Sequence, residues 1–177
     1  RQIDLGPGHP PYAATNLSRD TVRDITRLEG QWWLSTINGI SVWPDGESDF
    51  FTLRHDAARP DSLPQNYIGS LALDANRRLW VATYGGIAWV DRWTPKGPWR
   101  FGHLGLAEGL ASAKVDAVLV DRRNRAWASL AHGLARVDPT DFKVTNFGAR
   151  DGMRVASYEH RSAAVGPHGE LLFGGLG

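Results

Sequence analysis

Residues 79–87 read LWVATYGGI, and this short stretch decides the fold because its pattern returns at a fixed interval. Its tryptophan, Trp80, lies 47 residues after Trp33 and 47 residues before Trp127. A glycine follows each tryptophan by six residues, and an aliphatic residue follows each glycine. Phe173 takes the tryptophan position 46 residues after Trp127. A repeat of roughly 40 to 50 residues is typical of propeller blades or solenoid turns.

Each repeat divides into four short strands separated by turn residues. An apolar first strand precedes each tryptophan strand, at residues 22–28, 68–73 and 115–120. The turn between the second and third strands is predicted at Asn38-Gly39, Gly85-Gly86 and His132-Gly133, because Gly and Asn tolerate the positive φ of tight hairpins. A third strand follows each of these turns, and a fourth lies at residues 50–53, 99–103 and 144–147. The pattern predicts an all-β fold of β-propeller blades, each a four-stranded antiparallel meander.

The repeat also predicts how the chain is organised. Residues 1–177 form one partial β-propeller, which divides as follows: a blade remnant at 1–17, blades at about 18–62, 63–109 and 110–153, and a half blade at 154–177. Propeller rings usually need four to eight blades, so we expect an incomplete ring. Unpaired strand edges attract other strands. We therefore expect association through blade edges, either with the rest of a longer polypeptide or with other copies.

Composition excludes several classes of protein. The 20 Lys and Arg residues balance 19 Asp and Glu residues, which disfavours a nucleic-acid partner. The absence of cysteine excludes zinc ribbons, redox CxxC pairs and disulfide frameworks. No apolar stretch approaches the roughly 18 residues of a membrane span. We expect no cofactor, and membrane contact only through segments outside this chain.

Four stretches resemble a known family. Residues 109–139, which read GLASAKVDAVLVDRRNRAWASLAHGLARVDP, look like the two-component regulator propeller repeat, and residues 62–87 are similar to the same pattern. Residues 22–43 match more loosely, and residues 157–175 resemble the final blade of these sensors. The family's turn glycine before the tryptophan is present as Gly30, whereas Arg77 and Asn124 hold the equivalent positions.

The resemblance implies a function. It implies the periplasmic sensor region of an inner-membrane signalling protein, in which a ligand signals to a histidine kinase or diguanylate cyclase outside these residues. The propeller itself would bind ligand and carry out no catalysis, so no catalytic residue is predicted.

Candidate ligand contacts come from the loops that surround one mouth of a propeller channel. Ligand sites are expected where loops from several blades converge. The predicted contacts are Asn38, Asn66, Tyr67, Tyr84, Lys114, His132, Glu159, His160 and Arg161. Their amide, cationic and aromatic groups suit an oligosaccharide or another polar ligand. The repeat tryptophans are predicted to pack between neighbouring blades.

Two alternatives stay open. A propeller lyase or glycan-processing enzyme would require His132, Glu159 and His160 to converge. A protein-interaction scaffold would use the blade edges or the arginines of equivalent turns, which are Arg77, Arg78, Arg122, Arg123 and Arg125. The six histidines show neither HxH nor HExxH spacing, so no metal site is predicted.

Overall fold

The computed structural model describes residues 21–92, 99–155 and 157–176, without the side chains of residues 92, 160 and 161. Three four-stranded antiparallel sheets follow one another along the chain. The first contains β1 (Asp24–Leu28), β2 (Gln31–Thr36), β3 (Gly39–Pro44) and β4 (Phe51–Leu53). The second contains β5 (Ile68–Leu73), β6 (Leu79–Thr83), β7 (Gly86–Arg92) and β8 (Arg100–Leu104). The third contains β9 (Val115–Val120), β10 (Ala126–Leu130), β11 (Leu134–Val137) and β12 (Val144–Phe147).

The last part of the chain forms a smaller sheet. A short 3-10 helix (Ala149–Asp151) leads to β13 (Ser157–Val165), which pairs antiparallel with β14 (Leu171–Leu176). Within every sheet the strands are ordered as they occur in the chain. The predicted all-β fold of four-stranded antiparallel meanders is therefore confirmed. The division into numbered blades stays a prediction, and its remnant at 1–17 lies outside the described residues.

The sheets pack face to face, and the repeat tryptophans fill the space between them. Trp33 is fully buried in a core that joins the first and second sheets. Trp80 is fully buried in the core that joins the second and third sheets. Its ring centre lies 5.7 Å from that of Trp89, in the tilted arrangement that aromatic pairs favour. The predicted packing role of these two tryptophans is confirmed.

The turn between the second and third strands of each blade lies one residue earlier than predicted. In the first sheet Thr36 pairs with Gly39, so the turn residues are Ile37 and Asn38. Gly39 follows the turn as the first residue of β3, with a φ of +108°. The equivalent glycines, Gly86 and Gly133, also have positive φ.

These glycines are required by the neighbouring strand. A Cβ atom at each would lie 2.1–2.2 Å from a backbone carbonyl oxygen of the fourth strand, at Leu53, Leu104 and Phe147 respectively. A contact that short is impossible, so only glycine fits. The recurring glycine of the sequence therefore marks a close approach of two backbones.

An aspartate six residues before the tryptophan organises the first turn of two blades. Asp74 accepts hydrogen bonds from the backbone N–H groups of Asn76 and Arg78, both at 2.9 Å, and from Trp80 Nε1 at 3.2 Å. Asp121 accepts the corresponding bond from Trp127 Nε1 at 2.8 Å. The turn and the tryptophan of these blades are thus held by one carboxylate.

Arg77 occupies a glycine-like position in the first turn of the second sheet, with a φ of +62°. We expect Arg77→Gly to raise the free energy of unfolding by about 0.5 to 1 kcal/mol, because glycine adopts this conformation without strain. The substitution also removes the ion pair between Arg77 and Glu29, at 2.8 Å. Both side chains are largely exposed to solvent, so this pair contributes little to stability. Urea denaturation of both proteins measures the difference.

Asn124 provides the matched control in the third sheet, since its φ is +63°. Asparagine already tolerates this conformation, and the Asn124 side chain also accepts a hydrogen bond from Ala75 N. Asn124→Gly should therefore bring no gain. A loss of stability in Arg77→Gly would contradict the assignment of strain to that turn.

Candidate functional site

The first strands of the sheets, β1, β5, β9 and β13, lie side by side and form one wall. Side chains of one strand bind the backbone of the next: Asp24 accepts from Leu71 N at 2.8 Å, and Ser70 Oγ accepts from Val118 N at 2.8 Å. Gly69 permits close contact, because a Cβ there would lie 2.2 Å from the Asp116 carbonyl oxygen. The wall is therefore held together by short polar contacts.

A cavity of about 190 Å³ opens on this wall. Four of its lining residues hold equivalent positions of successive repeats: Arg23, Ser70, Ala117 and Ala163. They are separated by the same 47- and 46-residue intervals as the aromatic residues. That spacing is the sequence signal that places Arg23, which was not among the predicted contacts, on this wall.

At one end of this wall a row of side chains crosses three blades, and we call it the Arg23–Lys114 ladder. It consists of Arg23, Tyr67, Tyr84, Lys114 and Asp116. The Arg23 guanidinium carbon lies 4.4 Å from the Tyr67 ring centre, and Arg23 donates a hydrogen bond to the Tyr67 hydroxyl. The Tyr67 and Tyr84 rings stack with centres 4.0 Å apart and planes 27° apart. The Lys114 ammonium lies 5.3 Å from the Tyr84 ring centre.

A buried carboxylate ends the ladder. Asp116 has no exposed surface, and its Oδ2 lies 3.2 Å from Lys114 Nζ. The Tyr84 hydroxyl donates to Asp116 Oδ1 at 3.3 Å. Burial, a hydrogen bond with Tyr67 and the negative charge of Asp116 raise the pKa of Tyr84 well above its usual value. The Tyr84 hydroxyl therefore stays protonated at neutral pH.

The ladder contains three of the predicted ligand contacts, because Tyr67 and Lys114 directly precede β5 and β9 and Tyr84 lies in the β6–β7 turn. Other predicted contacts lie elsewhere. Asn38 is in the β2–β3 turn, and its carbonyl oxygen accepts from Arg54 Nε at 3.2 Å. The Asn66 carbonyl oxygen accepts from Gly39 N at 2.7 Å, and its side chain accepts from His55 N at 2.7 Å. Asn66 thus ties two blades together.

The remaining predicted contacts belong to the third and fourth sheets. His132 is exposed in the segment between β10 and β11, and Glu159 is exposed on β13. His160 and Arg161 also belong to β13, but their side chains lie outside the described part of the chain.

Several of the arginines in the equivalent turns already make contacts within the chain. Arg77 pairs with Glu29, and Arg125 pairs with Asp121 at 2.7 Å. Arg78 donates to the Pro139 carbonyl oxygen at 2.9 Å. These contacts favour a structural role over recognition of an anionic partner.

In the ranges 21–92, 99–155 and 157–176, no group of three or more His, Asp or Glu side chains is placed to hold a metal ion. The same residues contain no helix that is long and apolar enough to cross a membrane.

One known family matches part of this chain. Residues 62–85, which include Tyr67 and Tyr84, match the family described as two component regulator propeller. No curated protein sequence matches the chain.

Solved structures share the fold at low sequence identity. The chain is similar to the extracellular domain of a protein described as a hybrid two component system from B. thetaiotaomicron, with a TM-score of 0.58 and 14% identity. That match covers 88% of this chain and 26% of the other, so the chain spans about a quarter of the solved domain. A catalytically inactive virginiamycin B lyase from Staphylococcus aureus, solved with quinupristin, has a TM-score of 0.58 at 16% identity. That match covers 90% of this chain and 50% of the lyase.

The same blade architecture therefore occurs in proteins whose names describe different activities, and at these identities the likeness concerns the fold. The family match rests on the sequence of the second blade itself. This chain carries a two component regulator propeller repeat, built into a set of β-propeller blades.

Proposed function

We propose that this chain is part of the ligand-sensing propeller of a two-component-type receptor and that it lies outside the cytoplasm, in the periplasm. The family match at residues 62–85 supports the proposal. So does the name of one structural relative, the extracellular domain of a hybrid two component system. The observation that carries the proposal is the Arg23–Lys114 ladder, because its side chains join three consecutive blades at one end of the wall of first strands.

The ladder suits a sensor because its members belong to different blades. Arg23 precedes the first sheet, Tyr67 and Tyr84 belong to the second, and Lys114 and Asp116 belong to the third. A ligand that binds more tightly to one arrangement of these blades shifts the population toward that arrangement. Recognition at the mouth is thereby coupled to the relative positions of the sheets.

The ladder also indicates how a ligand is recognised. Tyr84 stacks on one face of the Tyr67 ring, so that face is closed to a sugar ring. Hydrogen bonds to the charged ends of the ladder suit a polar ligand such as an oligosaccharide. Asn38, Asn66, His132, Glu159, His160 and Arg161 stay predicted contacts.

In this proposal the segment binds its ligand without changing it, and any kinase or cyclase output lies elsewhere in the protein. A propeller lyase remains an outcome of the test. His132 and Glu159 belong to neighbouring sheets, and no observed contact of the described residues assigns them a catalytic role.

Isothermal titration with a panel of neutral and acidic oligosaccharides tests the proposal. We expect saturable binding of at least one member of the panel. Arg23→Gln and Lys114→Gln should each weaken that binding about tenfold, because a hydrogen bond to a charged group contributes about 1.5 kcal/mol or more. The matched control is Arg27→Gln. Arg27 lies at the other end of β1, half exposed and paired with Asp45, and its replacement should leave affinity unchanged.

Product analysis of every ligand that binds completes the test. An intact oligosaccharide supports a sensor. Cleavage that stops in Glu159→Gln would instead support the lyase. An equal loss of affinity in Arg27→Gln and Lys114→Gln would contradict the placement of the site at the ladder.

A further inference from the structure

A second concave site lies between the first and second sheets, beside the turn that carries Tyr84. It is a groove of about 400 Å³, within the roughly 300–1,000 Å³ of small-molecule sites. One wall is the loop at 54–64 that leaves β4. The other is the end of β8 with the segment at 105–108. The proposed sensing function makes no use of this groove.

The first wall is held in place by its own hydrogen bonds. Asp56 N donates to Ser62 Oγ at 2.9 Å, and Ser62 Oγ donates back to the Asp56 carbonyl oxygen at 3.0 Å. Ser62 is only 7% exposed. The His55 ring nitrogen Nδ1 lies 2.7 Å from the Leu63 carbonyl oxygen. The groove is thus formed before any ligand arrives, which lowers the entropic cost of binding.

The polar groups that line the groove are mainly acceptors. Because a carbonyl oxygen can only accept, His55 Nδ1 carries the hydrogen, and the neutral ring keeps Nε2 as an acceptor. Asp56 uses Oδ1 to accept from Ala58 N at 2.9 Å. Glu108 uses Oε2 to accept from Gly105 N at 2.7 Å. Each carboxylate has a second oxygen that can accept a further hydrogen bond.

The charge of the groove is negative when its histidines are neutral. Asp56 and Glu108 are its acidic residues, and Arg59 is its basic residue. The Arg59 guanidinium is already engaged, with Asp61 at 3.4 Å and the Trp99 carbonyl oxygen at 3.0 Å. His103 is the other titratable group of the lining. An ammonium group carries one positive charge and hydrogen-bond donors, which complement the two carboxylates.

The rest of the lining is apolar. Leu63, Pro64 and Leu106 contribute hydrocarbon surface, and Leu106 is 63% exposed. Apolar walls offer no ligand atoms to a metal ion, and the described residues provide no group of three or more metal-ligating side chains. An organic molecule with a charged end and an apolar body fits both features.

We propose that this groove binds a small organic ammonium, a primary amine with an apolar body. The occupant would lie beside the turn that carries Tyr84, since Gly85 also lines the groove. That turn packs tightly on the groove wall, because a Cβ on Gly85 would lie 2.9 Å from the Pro64 carbonyl oxygen. The groove is a second ligand site next to the ladder and does not depend on what the ladder binds.

Isothermal titration with phenethylamine tests the proposal, with 2-phenylethanol as the uncharged probe of similar shape. We expect saturable binding of the amine and weaker binding of the alcohol. Glu108→Gln should weaken amine binding about fivefold, the effect of losing one partly exposed charge pair. This variant should fold, because the glutamine oxygen still accepts from Gly105 N. Glu47→Gln, the same change on an exposed residue outside the groove, should have no effect.

The proposal is overturned if the alcohol binds as tightly as the amine, if Glu47→Gln matches Glu108→Gln, or if no saturable binding occurs.

Discussion

Replacing Gly86 with alanine is expected to lower the free energy of unfolding by about 2 kcal/mol or more, through backbone strain combined with a direct clash. Gly86 has a φ of +124°, which side chains rarely permit. A Cβ atom would lie 2.1 Å from the Leu104 carbonyl oxygen. That oxygen belongs to β8, which is paired with β7 at Ile87, so relief requires the two strands to separate. Urea denaturation followed by tryptophan fluorescence measures the loss.

Gly46→Ala separates the clash from the strain. Gly46 also has a positive φ, +77°, but no atom lies within 4 Å of its Cβ position. In this variant the free energy of unfolding should fall only by the cost of placing alanine at a positive φ, about 1 kcal/mol. If both alanine variants lost the same stability, the close approach of β7 and β8 would not be the reason for the recurring glycine.

Asp74→Ala is expected to produce the second large effect, a loss of about 2 to 3 kcal/mol. Asp74 is 6% exposed and accepts three hydrogen bonds, from two backbone N–H groups and from Trp80 Nε1. The tryptophan is fully buried, so its N–H would be left in the core without a partner. A buried donor without an acceptor loses its hydrogen bond to water and forms none in the protein. Thermal and urea denaturation both report the change.

Two comparisons make this prediction specific. Asp49→Ala removes a carboxylate from an exposed turn, where it accepts from Ser48 Oγ at 3.3 Å, and should be nearly neutral. Asp74→Asn retains an oxygen acceptor and should fall between the wild type and Asp74→Ala. A neutral Asp74→Ala variant would mean that water can reach the Trp80 nitrogen. The first blade already differs, since Trp33 Nε1 is buried without a hydrogen-bond partner.

The fold was predictable because its signal repeats. Trp33, Trp80 and Trp127 recur at one interval. In successive cores the repeat tryptophan packs between neighbouring sheets, as Trp33 and Trp80 do. The error of one residue in the second turn arose because Asn38-Gly39 suggests a two-residue hairpin. The structure uses that glycine after the turn, where it meets the backbone of the fourth strand.

The candidate site was only partly predictable. Tyr67, Tyr84 and Lys114 could be placed at one mouth from the repeat register. Their stacking order could not, because it depends on distances between side chains of different blades. Arg23 was missed because no residue of the same type holds its position in the other repeats, where Ser70 and Ala117 stand.

The sequence by itself determined the blade, since strand length, turn residues and the aromatic interval are local properties that repeat. Only the tertiary structure decided which polar groups meet. Asp116 accepts a hydrogen bond from the Tyr84 hydroxyl across 32 residues, and the groove between the first and second sheets is lined by His55 and Glu108 from two different loops. Such contacts depend on how the sheets are rotated and packed against each other. No short stretch of sequence encodes that arrangement, because it results from the burial of all the sheets together.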